Sequence, residues 1–159
     1  MRVLEGSFVL AHERFEEALR LMQQQDLQDL ASPGWEDMRR LWKVGWNNRK
    51  WRNEEFGIKR GVDLSQALKS ATTLQAFLAL LDWQPRYDNG GNIVALDFLG
   101  KYQQIYTFVY LERIASLVVN GKLVIEWGEK GAEKQCTYQF SEGVMLRSGD
   151  CLEGLTSFS

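Results

Sequence analysis

Apolar side chains recur at helical steps along residues 8–30. Phe8, Ala11, Phe15, Ala18, Leu19 and Met22 stand mostly three or four apart, with Glu13, Glu16, Glu17 and Arg20 mainly on the other side. This spacing predicts an amphipathic helix over about residues 8–25, since such positions share one helical face. Asp26, Gln28 and Asp29 weaken its last turns, and Ser32-Pro33-Gly34 stops it, because proline cannot continue a helix and glycine frees the turn. A second helix is expected from residue 35, where Trp35, Met38, Leu41, Trp42 and Trp46 fall on one face and Arg39, Arg40 and Lys43 fall off it. Glu36 and Asp37 open that helix with the charge its dipole favours. Trp35 and Trp42 are therefore expected in the core, where Trp42→Ala would cost ~3–5 kcal/mol in chemical denaturation. Residues 46–60 have no period and read as a long loop. Residues 63–82 read as one broken or two short helices, with Asp63 or Ser65 and then Thr72 or Thr73 as caps.

Beyond Trp83 and Pro85 the period changes. YDNGGN at 87–92 is a turn cluster, and NIVALDFLG alternates Val94, Leu96 and Phe98 against Ile93, Ala95 and Asp97, as a strand does. YQQIYTFVYLERIASLVVNG returns to helical spacing through Ile105, Phe108, Val109, Glu112 and Ile114, while Leu117–Val119 would suit a strand equally. Asn120–Gly121 reads as its stop. KLVIEWG, KQCTYQF and VMLRSG then form a meander around glycine turns. Leu123, Ile125 and Trp127 should share a face with Cys136, Tyr138 and Phe140. Lys122, Glu126, Thr137, Gln139 and Arg147 should share the other. The expected architecture is α+β in a single domain. Its mainly helical part (1–82) would pack on a small antiparallel C-terminal sheet (83–159) with one helix between the first two strands.

Composition narrows the function classes. With 159 residues, 45% hydrophobic and 25% charged, the chain can bury a core without staples. No apolar run approaches a membrane span, and Glu5, His12 and Glu13 interrupt any signal-peptide core, so the expected location is cytoplasmic. Cys136 and Cys151 lack metal-ligand spacing and His12 is the only histidine, so zinc is not expected and both cysteines read as buried free thiols. No phosphate-binding glycine loop, nucleophile elbow or zinc-protease helix occurs. The adjacent pairs Glu16–Glu17, Glu36–Asp37 and Glu54–Glu55 diverge on a helix and read as solvated faces. Neither an enzyme nor a cofactor is expected.

One stretch invites a different reading. The loop 46–60 carries Arg49, Lys50, Arg52, Lys59 and Arg60 against Glu54 and Glu55, a local net of +3 beside Trp46, Trp51 and Phe56. Cations and aromatic platforms suit single-stranded nucleic acid, so Trp46, Arg49, Lys50, Trp51 and Arg52 form an alternative site. The overall charge of −2 supplies no global field for such a partner, and no binding is expected at physiological salt.

The region 83–147 runs WQPRYDNGGNIVALDFLGKY, a helix, then NGKLVIEWGEKGAEKQCTYQFSEGVM. It resembles small bacterial proteins that join a GNI strand and a helix to a strand–GExG–strand–xFxxG hairpin, some of them immunity partners of toxins. The resemblance covers under half of the chain. It implies a protein-binding module that neutralises a cognate toxin as a monomer or weak dimer. The partner surface expected for it is the polar face of the sheet with its EKGA turn. Asp97, Glu126, Glu129, Glu133 and Arg147 are its candidate contacts, the acidic ones suited to a basic toxin.

Overall fold

The computed structural model describes residues 1–25, 58–59, 62–100 and 106–151. It opens with a strand, β1 (Arg2–Leu10), followed by a 3-10 turn (His12–Arg14) and helix α1 (Phe15–Gln23). The helix expected over residues 8–25 is thus cut back at its start. Phe8 and Leu10 are both buried and lie two apart on one face of β1, so their helical spacing to Ala11 and Phe15 was a coincidence of pattern. A register shift between Val3 and Glu5 breaks the alternation upstream and hides the strand from a period-two reading.

A short ribbon of β2 (Ile58–Lys59) and β3 (Val62–Asp63) follows, placing a strand at the end of the expected loop. Helices α2 (Leu64–Ser70) and α3 (Leu74–Leu80) realise the two short helices. Thr73 caps α3, its hydroxyl accepting the Ala76 N–H at 3.1 Å. The side-chain amide of Gln23 donates to the carbonyls of Leu68 and Ala71 at 3.1 and 2.7 Å, so α1 satisfies acceptors left open at the end of α2. The expected helix from residue 35, with Trp35 and Trp42, lies outside the described residues.

Strand β4 (Trp83–Tyr87) was not legible, because proline argues against a strand. Pro85 is tolerated here because β4 is an edge. Then come β5 (Ile93–Phe98), α4 (Tyr106–Arg113), a 3-10 turn (Ala115–Leu117), β6 (Asn120–Trp127), β7 (Lys134–Ser141) and β8 (Val144–Gly149). Asn120 and Gly121, expected as a stop, begin β6 opposite Val9 and Phe8. In β5 the expected faces are partly exchanged: Ile93 is buried and Val94 exposed, because a bulge shifts the register beside Tyr87.

The six strands form one antiparallel sheet in the order β4-β5-β1-β6-β7-β8. The first strand in sequence is therefore central, with Ser7 opposite Ala95 on one side and Lys122 on the other. This corrects the C-terminal sheet with one helix between its first two strands: α4 separates β5 from β6 in sequence, and β1 separates them in space. Gly6 makes the central packing possible. A Cβ there would clash with the Leu96 carbonyl oxygen.

Helices cover one face of the sheet, with α1 against α3 and α4. Ala18 and Met22 of α1, Phe77 of α3 and Phe108 of α4 join Phe8, Leu96, Leu123, Ile125, Tyr138 and Phe140 of the strands in one core. Phe108 stacks on Tyr138 with centroids 4.0 Å apart and meets Trp83 edge-on at 6.0 Å. Trp83 and Tyr138 belong to strands four places apart, which a flat sheet would hold about 19 Å from each other. One phenylalanine ring bridges them only because the sheet curls around α4.

The two cysteines are not free thiols. Cys136 and Cys151 form a disulfide between β7 and the residue that follows Asp150. Their fifteen-residue separation is the length of the β7–β8 hairpin, so pairing that hairpin brings them together. Among the described residues, no helix is long and apolar enough to cross a membrane.

Candidate functional site

The other face of the sheet, uncovered among the described residues, carries charges in cross-strand pairs. Arg2 lies opposite Glu126, and their side chains meet at 3.2 Å. Lys122 reaches Glu5 at 3.8 Å, and Arg86 reaches Asp97 at 3.0 Å. These pairs are solvated and contribute ~0–1 kcal/mol each to stability, so their main effect is to fix side-chain positions.

At one end of this face, a cleft of about 220 Å³ lies between the start of β1 and the β6–β7 turn. It is lined by Met1, Arg2, Glu126, Trp127, Gly128, Lys130 and Glu133. The turn is held from within: Ala132 N–H donates to the Glu129 carbonyl, and Gly131 N–H donates to the Glu133 carboxylate, both at 2.9 Å. The Gly131 bond, followed by Glu133's own backbone N–H, holds the Glu133 carboxyl below its ordinary value, and the Arg2 charge adds to this. Glu133 therefore stays ionised to a lower pH than an unpartnered glutamate would. Trp127, only 7% exposed, borders the cleft from the core side of β6. Its indole N–H donates to the Asp150 carbonyl at 2.6 Å, and Lys134 lies 5.2 Å over its ring.

The structure brings together only part of the expected partner surface. Glu126 and Glu133 meet in the cleft, while Glu129 is exposed on the same turn without lining it. Asp97 shares the uncovered face but stands on β5, with β1 between it and β6. Arg147 is a correction: it lies opposite Tyr138 on the helix-covered side and pairs with Glu112 of α4. Its side could not be read from VMLRSG, where three apolar residues in a row erase the alternation. The two-residue turn Glu142–Gly143, with φ of 53° and 80°, decides it by setting Val144 opposite Ser141. The alternative site at Trp46, Arg49, Lys50, Trp51 and Arg52 lies outside the described residues.

Arg2 and Lys130 are cleft residues that the sequence reading missed. Alternation in β1 would have placed Arg2, but it is masked by the bulge at Leu4. With these two cations beside Glu126 and Glu133, the rim is mixed in sign rather than uniformly acidic.

A second polar cluster ties β1 to the β4–β5 hairpin. The Asn92 side-chain oxygen accepts the His12 backbone N–H at 3.0 Å and faces the His12 ring nitrogen at 3.1 Å. Asp88 accepts the N–H groups of Gly90 and Asn92 and the Asn92 amide, and the Asn92 side-chain bond leads in lowering its carboxyl pKa. The Asp88 bonds close the β4–β5 turn and the Asn92 oxygen holds the segment after β1 against it, so the arrangement is a structural clamp on the only histidine.

No family model matches this chain, and neither a curated protein nor a solved structure matches it.

Proposed function

We propose that this chain is a protein-binding module of immunity type, which binds a cognate bacterial toxin in the cytoplasm and neutralises it. The contact surface is the uncovered face of the sheet around the β6–β7 turn. The observation that carries this reading is the cleft itself. Internal hydrogen bonds hold its turn, and its rim sets Arg2 and Lys130 among Glu126 and Glu133. Arginine is enriched among the residues that dominate protein contacts, while flanking carboxylates mainly speed the approach of a basic partner.

Reversing the charge of Glu126 and Glu129 together tests it. The double variant should fold as the parent does and associate with the toxin about tenfold more slowly at low salt, with the difference fading as salt rises. An unchanged association rate would move the contact away from this turn.

Cytoplasmic placement belongs to the same proposal, and the disulfide provides its observable. Cytosolic reductants keep thiols reduced, whereas oxidising compartments preserve disulfides. Quenching intact cells in acid, then unfolding the protein and alkylating it without reductant, should label Cys136 and Cys151 if the chain resides in the cytoplasm. A pair recovered oxidised would place the protein, and the encounter with its partner, in an oxidising compartment.

A further inference from the structure

The disulfide reaches the cleft through a short strap of chain. Gly149, with φ of 83°, turns the backbone out of β8 opposite Cys136. Asp150 then bonds two strands at once. Its N–H donates to the Gln135 carbonyl of β7 at 2.9 Å, and its carbonyl accepts the Trp127 indole N–H of β6 at 2.6 Å. Cys151 follows, bonded to Cys136 of β7. Residues 149–151 thus lie across the end of β7, with the disulfide on one side of Asp150 and the ladder of β8 on the other.

The strap ends where the cleft begins. Trp127 stands in register with Lys134 at the root of the β6–β7 turn, and the Lys134 ammonium lies 5.2 Å over the indole. Glu126 and Gly128, the neighbours of Trp127, line the cleft together with Lys130 and Glu133 of the turn. Trp127 is buried, so its indole N–H depends on the Asp150 carbonyl for a partner. Without the sulfur bond, two hydrogen bonds of modest net strength would have to order the strap against its own backbone freedom. Those two terms are of similar size, so the covalent bond decides the balance.

We propose that the Cys136–Cys151 pair is a redox switch on the cleft: oxidised, it holds the strap against Trp127 and sets the β6–β7 turn; reduced, it releases both. The switch rests on the cleft as the contact surface and regulates that surface. The reduced chain keeps β6, β7 and β8 paired through their own ladders, so it stays folded and grips a partner about tenfold more weakly. Cytosolic thiols hold the pair in that form. Closing it takes an oxidant of the disulfide class, such as oxidised glutathione. One cysteine thiolate attacks the oxidant's S–S bond and expels a thiolate. The second cysteine attacks the protein sulfur of the mixed disulfide and expels the other. One S–S bond forms and one breaks, two electrons pass to the oxidant, and the two cysteine protons end on the released thiols. Linkage makes the effect mutual. A partner that prefers the oxidised chain tenfold moves the pair's midpoint by about 30 mV in favour of the disulfide.

The full chain, oxidised or held in excess dithiothreitol, tests this by NMR with no partner present. The Trp127 indole proton, assigned through Trp127→Phe, should exchange with water about tenfold faster once the pair is reduced. The Glu133 carboxyl, held below its ordinary value first by the Gly131 N–H, should titrate closer to that value, because a bond to its charged form is weakened. Cys136→Ala with Cys151→Ala should match the reduced chain whether or not reductant is present. Identical indole exchange and Glu133 titration in the two redox states would overturn the switch. Reduction that unfolds the whole sheet would overturn it too, since the bond would then be a staple for the fold. No toxin enters these measurements, so the contact surface is judged separately, by the charge reversal at Glu126 and Glu129.

Discussion

Replacing Trp83 with alanine is expected to cost about 3–5 kcal/mol in chemical denaturation, the range for a large aromatic removed from a packed core. The side chain is 1% exposed although it sits on an edge strand. Its ring meets Phe98 at 5.1 Å and Phe108 at 6.0 Å, both edge-on. Because Phe108 also stacks on Tyr138, the cavity would open where α4 holds the two sides of the curled sheet together. The indole N–H donates to the hydroxyl of Thr107, the one polar residue buried among the described residues. With Trp83 in place, Thr107→Val keeps the shape of that site and removes the acceptor, so by itself it should cost ~1–3 kcal/mol, the penalty for a buried donor left without a partner. The effects should not add: in the Trp83→Phe background, where no indole donor remains, Thr107→Val should be close to neutral. Equal costs of Thr107→Val in both backgrounds would show that the bond contributes nothing.

Reducing the Cys136–Cys151 bond is expected to lower stability by about 3 kcal/mol, the chain-entropy value for a closed loop of this length. The effect should also be visible locally. Asp150, next to Cys151, accepts the Trp127 indole N–H at its carbonyl and donates its own N–H to the Gln135 carbonyl in the ladder. Releasing Cys151 frees that end of β8, so amide protection at residues 148–151 should fall before the rest of the sheet opens. Replacing both cysteines with alanine should reproduce the loss and abolish its dependence on reductant. A reduced protein within about 1 kcal/mol of the oxidised one would show that the hairpin's own ladder already holds these residues together.

Local chemistry accounts for much of what could be read in advance. The meander of β6, β7 and β8, the two short helices with a Thr73 cap, and the shared face of Leu123, Ile125, Cys136, Tyr138 and Phe140 follow from period, capping and turn residues within a few positions of each other. Glu126 and Glu133 could be assigned to one surface because a single tight turn separates them. The antiparallel α+β class follows from the same signals.

The rest depends on contacts between residues far apart in the chain. β1 bonds two strands that begin over eighty residues later, and no local pattern in RVLEGSFVL announces this once a bulge has broken its alternation. β4 contains a proline that is acceptable only at an edge, and position in the sheet is not a local property. Arg147 changes face because a two-residue turn sets the parity of β8, which three consecutive apolar residues cannot reveal. The disulfide was invisible for the same reason: a spacing of fifteen becomes a bond only when a hairpin folds it back on itself. The cleft is assembled likewise, since Arg2 reaches Glu126 across a pairing that spans most of the chain. Hydrogen-bonding partners in a sheet are chosen by the competition among all strands, so face, edge and neighbour are decided only when the whole sheet forms.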